Sequence, residues 1–505
     1  MECQFKMKKI AFIFLIFFGV HFSLAADSSL NVQWTKATEY HVAVSGSDSN
    51  PGTLSAPWRT IKHAADSVVP GDTVFIHTGT YEEEVVFKYS GTADAPITFS
   101  AAQDETVTVE GLEFTAGTAY TNIQNLKIEG ASIWRVWLKG NNHHIILQGL
   151  TIIGGEAGVR FTWGDSGQAP IDGPVSDITL ADSLVQGQVY TAVDCTPGPG
   201  NRLTFRNLEI CGPEAGEPSF AADGIAVERG GNILVENCTI HDVWGDGIDL
   251  NSRDTAGNVP GIEVKRNKII RVHRNGIKLW AGGRIENNVV WGSGLAPVDI
   301  GAYPGSYEAI NNTVAFNMWD KSYSGRDYSF VAAYPSEGIS AAIDLTLLNN
   351  IFAFNTGSQI GTPTGIYLGE GVNLVKEGYN LFWSREDCEI TAEFVQGDPE
   401  FSRSEIEDGT WAGASSQGAG DTTSDPVFVN GWPEADLHLD ENSPAIDTGT
   451  SEGAPSVDCE CMVRPAGAGH DKGAYEYGSV LDEECAGNGT KDDEPKKSKK
   501  GKIRR

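Results

Sequence analysis

One short phrase recurs along the middle of this chain and limits the folds that it can adopt. In each copy, an Asn follows alternating apolar residues and precedes a further apolar stretch, with glycines frequent between the copies. The copies begin at Asn125, Asn207, Asn237, Asn267, Asn287, Asn311 and Asn349. Repeats of about 20 to 45 residues with strand-like alternation are typical of a β-solenoid, in which each coil buries its inner face only against neighbouring coils. The sequence therefore predicts an all-β chain folded as a right-handed parallel β-helix.

The repeated asparagines share one position in the phrase. We predict that their amides form an inward-turned ladder at a corner of each coil, where they bond to backbone groups that the turn leaves unpaired. This interpretation makes the asparagines structural and not catalytic.

The beginning of the chain differs from the repeats. Residues 58–66 are typical of a short amphipathic helix, and residues 73–76 are typical of a strand. A helix over the open end of a solenoid prevents the first coil from pairing with other chains. We therefore predict a single β-helix over residues 38–480 that starts with a short N-terminal capping helix.

The end of the chain has two distinct parts. Residues 443–447, together with Arg464-Pro465 and residues 471–476, resemble the closing segment of many secreted β-helix proteins. Residues 481–505 combine acidic residues with a Lys-rich and Arg-rich end and contain few apolar residues, so we predict that they are disordered.

Residues 1–25 predict a secretory signal peptide and thus an extracellular protein. Lysines precede an apolar stretch over residues 10–20, and small residues follow it. That stretch is shorter than a membrane span needs, and we expect no membrane association after cleavage. Cleavage removes Cys3 and reduces the eight cysteines by one to an odd number, so at least one thiol is expected to stay unpaired.

The charge of the chain excludes some partners and permits others. There are 37 Lys and Arg against 68 Asp and Glu, for a formal charge of −31, so nucleic acid is not an expected partner. Residues 223–290 are balanced, because they contain nine basic and nine acidic residues. An acidic polysaccharide can therefore approach this part of the chain. We expect the protein to act as a monomer.

Three segments of the balanced region align without gaps. They are Asp223-Gly-Ile-Ala-Val, Asp246-Gly-Ile-Asp-Leu and Asn275-Gly-Ile-Lys-Leu. Adjacent strands lie about 4.8 Å apart, and alternate residues point to opposite faces. The alignment thus predicts two outward columns, one of Ala226, Asp249 and Lys278, and one of Asp223, Asp246 and Asn275.

This cluster predicts a metal site. Three carboxylates at such spacing repel one another unless a cation lies between them. Calcium suits them because it is a hard ion that takes six to eight oxygen ligands, and we predict that Asp223, Asp246 and Asp249 bind Ca²⁺. A nearby cation would also favour the neutral, basic form of Lys278. Two alternatives remain. In one, each aspartate is a common turn residue, and in the other, Lys278 is a surface lysine that pairs with Asp249.

The motifs resemble those of the family-nine polysaccharide lyases, the pectate and exopolygalacturonate lyases built on β-helices. Members of that family carry Ala-Asp-Gly, Asp-Asp-Gly-Trp-Asp and Asn-Gly-Phe-Lys-Leu segments in this order. The corresponding segments here are Ala222-Asp-Gly, Gly245-Asp-Gly-Ile-Asp and Asn275-Gly-Ile-Lys-Leu. The resemblance implies that the three aspartates bind calcium and that Lys278 is the Brønsted base.

Two positions depart from the family pattern. Gly245 stands where the family has the first of two paired aspartates, so one calcium ligand is missing, and Asp242 and Glu228 are candidates to replace it. Trp280 interrupts the glycines that usually follow the Lys-Leu pair, and its indole is a candidate to stack on a sugar ring. Guanidinium groups pair with carboxylates in a bidentate manner, and the candidates to hold substrate carboxylates are Arg253, Arg274 and Arg284.

Together these features predict a secreted, calcium-dependent polysaccharide lyase that acts on a uronic-acid polymer, with pectate or polygalacturonate as the first candidate. Lys278 would remove the C5 proton, and the glycosidic oxygen at C4 would leave by β-elimination. Two alternatives remain, a glycoside hydrolase of the same fold that uses the aspartates, and a non-catalytic β-helix that binds a glycan or a cell surface.

Overall fold

Parallel rungs stack along the chain and build one long solenoid. The computed structural model describes residues 37–161, 173–195, 200–213, 222–251, 261–280, 282–315, 328–335, 343–353, 364–369, 371–383, 389–392, 400–430 and 436–487. Within these ranges most coils contribute one strand to each of three parallel sheets, so the predicted parallel β-helix is confirmed.

The first sheet begins at the N-terminal end of the solenoid and runs along its whole length. Its strands are Glu39–Val42, Thr73–Ile76, Ile97–Ala101, Ala119–Gln124, His143–Gln148, Val175–Gln186, Gly200–Cys211, Gly230–Glu236, Glu263–Lys265, Gly283–Glu286, Gly305–Ile310, Ile343–Leu348 and Val372–Gly378.

The second sheet follows the first after a corner of two residues in most coils. It contains the beginnings of Gly79–Phe87 and Val107–Phe114, the ends of two long strands of the first sheet, and Lys127–Ile128, Thr151–Ile153, Thr239–His241, Lys268–Ile270, Val289–Trp291, Thr313–Ala315, Ile351–Ala353 and Leu381–Trp383.

The third sheet carries the aligned segments. It contains the ends of Gly79–Phe87 and Val107–Phe114, followed by Trp134–Leu138, Ala157–Phe161, Thr191–Cys195, Ile225–Val227, Ile248–Asn251, Ile277–Trp280, Val298–Ala302, Tyr328–Pro335, Thr364–Leu368 and Glu389–Ala392, with Glu400–Ser402 added in antiparallel orientation.

The core is a set of stacked apolar columns. Ile225, Ile248, Ile277 and Val298 are aligned on successive rungs of the third sheet and are almost completely buried. The residues that alternate with them point outward, as the period of two in a strand requires. The inward positions therefore fix the register, and the outward positions are left for chemistry.

The corner between the first and second sheets contains two columns of polar residues. In the first column the backbone is left-handed, with φ between 52° and 59° at Asn125, Asn207, Asn237, Asn287, Asn311 and Asn349. Asparagine tolerates this conformation better than most residues do. The second column, one residue later, faces inward and carries the amide ladder of Asn267, Asn288, Asn312, Asn350 and Asn380.

The predicted ladder thus exists, but it lies in the second column and not at the repeated asparagines of the first. Of the repeated asparagines, Asn267 belongs to the ladder, and Arg266 takes the left-handed position of that coil with φ 57°. The Asn-Asn pairs of the later coils fill both columns. The repeated sequence therefore contains two kinds of asparagine, one in the left-handed position and one in the ladder. In the ladder, Asn288 donates from its backbone N and from Nδ2 to Asn312 Oδ1 at 3.0 Å, and Nδ2 also donates to Val264 O.

The N-terminal cap is confirmed with shifted bounds. The helix is Ile61–Ser67, and Thr60 precedes it and accepts a hydrogen bond from the backbone N of His63. Ile61, Ala64 and Ala65 are buried in the core of the first coils.

The other end is closed by a different segment from the predicted one. Two short helices, Arg403–Glu407 and Thr410–Ser415, cover the last coils with the buried side chain of Trp411. Residues 436–487 instead pack along the outer face of the second sheet, where Leu437, Leu439 and Tyr475 join one apolar cluster with outward residues of that sheet.

The segment over residues 436–487 holds its own shape through buried polar contacts. Arg464 Nη1 donates to Glu476 Oε2 at 2.9 Å in a fully buried ion pair. The strand Asp436–Leu439 pairs with Phe428–Asn430 in a small antiparallel sheet.

The predicted start of the disordered tail at residue 481 is wrong. A helix, Glu483–Gly487, follows residue 481, and a disulfide joins Cys461 to Cys485, so the described chain stays attached to the solenoid through residue 487. Residues 488–505 and the predicted signal peptide at residues 1–25 lie outside the described residues. Within the described ranges, no helix combines the length and apolarity needed to cross a membrane.

Removal of one ladder amide should destabilise the fold. Asn312→Ala leaves the backbone N of Asn288 and the carbonyl of Ile285 without their buried partners, and each unsatisfied group costs about 1–3 kcal/mol. We expect the free energy of unfolding to fall by about 2–4 kcal/mol in urea titrations. Asn373→Ala, at an exposed amide of the first sheet, should change it by less than about 0.5 kcal/mol. Equal effects of the two variants would contradict a structural ladder.

Candidate functional site

The three aligned segments lie on consecutive rungs of the third sheet, as predicted. Ala226 pairs with Asp249, and Asp249 pairs with Lys278. The column continues to Asp299 on the next rung. Inward residues on both sides of these positions are buried, so the carboxylates and the amine share the outer face.

Lys278 lies among the carboxylates. Its Nζ is 3.0 Å from Asp249 Oδ2 and 3.9 Å from Asp246 Oδ2. The same Nζ lies 4.1 Å from the centroid of the Trp280 ring, within the range of a cation–π contact. The amine is therefore held between an acidic side and an aromatic side.

The neighbouring column is built by hydrogen bonds at the turn before each strand. The backbone N of Asp246 donates to Asp223 Oδ1 at 2.7 Å. Asn275 donates to Asp246 Oδ1 from its backbone N at 2.8 Å and from Nδ2 at 3.0 Å. Each rung thus orients the carboxylate of the rung before it. A Cβ at Gly247 would lie 2.6 Å from Gly276 O, which explains the glycine that follows the polar residue.

Burial and mutual repulsion destabilise the ionised form of this cluster. Desolvation, followed by the charges of Asp246 and Asp249, raises the pKa of Asp223 to about 8. Desolvation and the charge of Asp246 raise the pKa of Asp249 to about 7, although Lys278 opposes the shift. Asp249 Oδ1 is buried and has no hydrogen-bond partner among the described residues. Buried oxygens of this kind call for a proton or a cation.

The donor set fits calcium chemically. Asp223, Asp246 and Asp249 offer only oxygen ligands, which a hard cation prefers, and Asp249 Oδ1 is the atom that lacks a partner. Across the described ranges, no three acidic, His or Cys side chains already surround a common point in metal-binding geometry. Several of the carboxylate oxygens are instead engaged with backbone N–H groups and with Lys278.

The glycine at position 245 is required by packing. A Cβ at Gly245 would lie 2.2 Å from Asp223 Oδ1 and 2.7 Å from the carbonyl carbon of Ala222. The space of a side chain at this position is thus occupied by the Asp223 carboxylate. The aspartate that the family has here cannot be accommodated on this backbone without a shift.

The two proposed substitutes for that aspartate differ. Asp242 is committed elsewhere, because its two oxygens accept from Arg271 Nε and Nη2 at 2.7 Å and His241 also contacts it. Its pKa is well below the usual value even though burial alone would raise it, since these partners favour the carboxylate. The prediction that Asp242 replaces the missing ligand is therefore wrong. Glu228 stays a candidate, because it is partly buried and its charge acts on Asp249.

The three predicted arginines do not form one group. Arg274 lies beside the cluster, where its backbone N donates to Gly245 O and its charge lowers the pKa of Asp223 against the raising effect of burial. Arg284 lies on the first sheet and contacts Glu286, Glu308 and Gly453 O, so its predicted place in the site is wrong. Arg253 lies outside the described residues.

Asp299 also lies in an outward column of the site, although the alignment of the three segments does not include it. Burial raises its pKa to about 6, and a hydrogen bond with the side chain of Trp280 opposes the shift. The alternation of Val298, Asp299 and Ile300 matches the other three segments and could have revealed it. Pro297 stands where they have glycine, which hides the match.

The raised carboxyl pKa values predict how stability depends on pH. In the cation-free protein, the folded state holds protons that the unfolded state releases, so stability should fall as pH rises from about 4 to about 8. We expect Ca²⁺ to raise Tm more at pH 8 than at pH 5, because at pH 5 it competes with bound protons. At 100 times Kd, binding adds about 2.7 kcal/mol.

Differential scanning fluorimetry at both pH values, with EDTA or with calcium, measures this difference. Asp249→Asn should abolish most of the calcium effect. The same calcium effect at both pH values, or its survival in the variant, would contradict a site at these carboxylates.

A minimal side chain at position 245 should weaken the site. In Gly245→Ala the added Cβ displaces Asp223, and we expect calcium affinity to fall by about tenfold or more, equivalent to about 1.4 kcal/mol. Gly413→Ala is a matched control, since no atom lies within 4 Å of its Cβ. Isothermal calorimetry compares the two variants, and equal affinities in folded proteins would refute the packing argument.

Comparisons with known proteins agree with this architecture. Residues 40–168 match the family model described as Pel9A-like, right-handed beta helix region, and residues 110–314 match a right-handed beta helix region. A solved structure of pectate lyase Pel9A has a TM-score of 0.53 at 17% identity, over 87% of this chain and 97% of that one.

Two curated proteins are similar in sequence. The uncharacterized protein YwoF of Bacillus subtilis is 24% identical over 56% of this chain and 76% of its own length. Pectate lyase PEL9 of Emericella nidulans is 31% identical over 110 residues, which are 20% of this chain and 27% of that protein. Fold, family models and relatives together show that this chain carries a pectate lyase-like right-handed β-helix.

Proposed function

We propose that the protein is a secreted, calcium-dependent polysaccharide lyase that cleaves a uronic-acid polymer, with polygalacturonate as the first substrate to test. The observation that carries the proposal is the position of the Lys278 amine, 3.0 Å from Asp249 in a largely buried cluster of three aspartates on the outer side of the third sheet. The named pectate lyases among the similar proteins support the same reaction class. Secretion rests on the predicted signal peptide at residues 1–25, and we propose a monomer.

The chain's own residues divide the work of a β-elimination. Lys278 removes the proton at C5 and needs to be neutral to do so. Asp223, Asp246 and Asp249 would hold a calcium ion, which when bound offsets the negative charge that develops on the substrate carboxylate. Trp280 lies against the amine and offers an apolar surface to a sugar ring.

The contact between Lys278 and Asp249 couples the base to the metal ligands. The ammonium of Lys278 is the positive partner of Asp249. A cation that takes over this carboxylate releases the amine and disfavours its protonated form. The proposal thus includes an alkaline activity optimum and dependence on a divalent cation.

A metal-independent hydrolase is the second candidate. The observation that favours it is the raised pKa of Asp223, since a carboxylic acid that keeps its proton near neutral pH can act as a general acid. Lys278 would then serve only in binding. The two candidates differ in product, because only elimination leaves a double bond that absorbs ultraviolet light.

Activity of Lys278→Ala distinguishes these functions. With polygalacturonate and calcium, we expect the wild type to increase absorbance and EDTA to stop it. Loss of the base should lower kcat by about 10²-fold to 10⁴-fold. Lys88→Ala, at an exposed lysine paired with Asp66, should keep full activity.

Polymer binding by gel mobility checks that Lys278→Ala retains its substrate. Reducing ends that appear without ultraviolet absorbance, and in the presence of EDTA, would identify a hydrolase. Binding without turnover on every uronan tested would identify a non-catalytic glycan-binding protein.

A further inference from the structure

A second group of aromatic and basic side chains lies on the third sheet, on the N-terminal side of the carboxylate cluster. It consists of Trp134, Trp137, Lys139 and Arg160, which we call the tryptophan platform. Trp134 and Trp137 belong to one rung, Lys139 follows that strand, and Arg160 belongs to the next rung. All four side chains are partly exposed.

Each cation of the platform lies over an indole. The rings of Trp134 and Trp137 meet edge to face with centroids 4.5 Å apart. The guanidinium carbon of Arg160 lies 4.9 Å from the centroid of Trp134, and Lys139 Nζ lies 4.0 Å from that of Trp137. These contacts restrict the long side chains and hold their charges beside apolar ring surface.

The platform is in line with the candidate site. Arg160 pairs with Asp194, Asp194 pairs with Ala226, and Ala226 pairs with Asp249. Three steps of about 4.8 Å place the Arg160 position about 14 Å from Asp249 along the solenoid axis. Trp137 lies one rung further in the same column. A polymer that lies along this column with one sugar at Lys278 therefore passes over the platform.

The electrostatics of the platform suit an anionic sugar. Arg160 Nη1 donates to Asp194 at 2.6 Å and Lys139 Nζ donates to Glu113 at 2.8 Å, so the formal charges balance. These two ion pairs add no net charge to the platform, although the whole chain has a formal charge of −31. The Arg160 side chain keeps 19% of its surface exposed beside this ion pair, so it is accessible to a ligand.

We propose that the tryptophan platform binds a second uronate residue of the polymer that the candidate site cleaves, an inference that rests on the proposed function. The indoles supply apolar area for a sugar ring, and Lys139 and Arg160 supply donors for its carboxylate. The four side chains are positioning residues, since they hold a long polymer in register with Lys278. They favour polymers that span both places over short oligomers.

Variants of the platform test this inference through chain length. We expect Trp137→Ala and Arg160→Gln each to raise KM for polygalacturonate by about tenfold with kcat unchanged. Kinetics on trigalacturonate, which is too short to engage both places fully, should change by less than about twofold. Arg202→Gln is the matched control, because this exposed arginine pairs with Asp177 on the first sheet. Unchanged KM in both folded platform variants, or equal losses on polymer and trimer, would overturn the proposal.

A binding measurement separates this inference from the proposed reaction. In a Lys278→Ala background, affinity gel electrophoresis with polygalacturonate should show weaker retardation when Trp137→Ala is added, and neutral galactan should show no such change. If Trp137→Ala does not fold, Lys139→Gln serves in its place. If Trp137→Ala weakens retardation by the polymer and the wild type has no lyase activity, the result would support binding at the platform and contradict the proposed reaction. Unchanged retardation, or an equal loss on galactan, would overturn uronate binding.

Discussion

The spacing of parallel strands is the constraint on which the rest of this molecule depends. Because adjacent rungs hydrogen-bond in register, residues that are 23 or 29 positions apart in sequence become direct neighbours. Inward columns then fill with β-branched and aliphatic residues, and outward columns acquire whatever side chains the sequence provides. A lysine between two aspartates and a tryptophan arises in this way from strand register alone.

Much of this arrangement could be predicted from the sequence because alternation and register are local properties. The segments that contain Asp223, Asp249 and Lys278 align without gaps in the sequence, and the paired strands reproduce that alignment. The amide ladder lies one residue later than the sequence predicts, since an asparagine in the left-handed conformation and one that faces inward look the same in sequence. The prediction for Arg284 is wrong because the strand after Trp280, Gly283–Glu286, belongs to the first sheet.

Other features depend on contacts between distant parts of the chain. Asp242 has a carboxylate that is suited to bind a cation, but Arg271 on the next rung donates a hydrogen bond to each of its oxygens. The glycine at position 245 suggests a missing calcium ligand. The Asp223 carboxylate, however, occupies the space that any side chain at this position would need. In both cases the deciding partner is a neighbour in space whose side-chain direction no local pattern reveals.

The segment over residues 436–487 changes how such a repeat can come apart. In an ordinary solenoid each coil touches only its neighbours, and rungs can fray one at a time. Here Glu460 contacts Lys268, Thr450 O accepts from Asn349, and Lys472 donates to Asn380 O, so one returning strap fastens coils far apart along the axis. We expect these contacts to make the later coils open together, and so to keep the rung that carries Lys278 from opening independently.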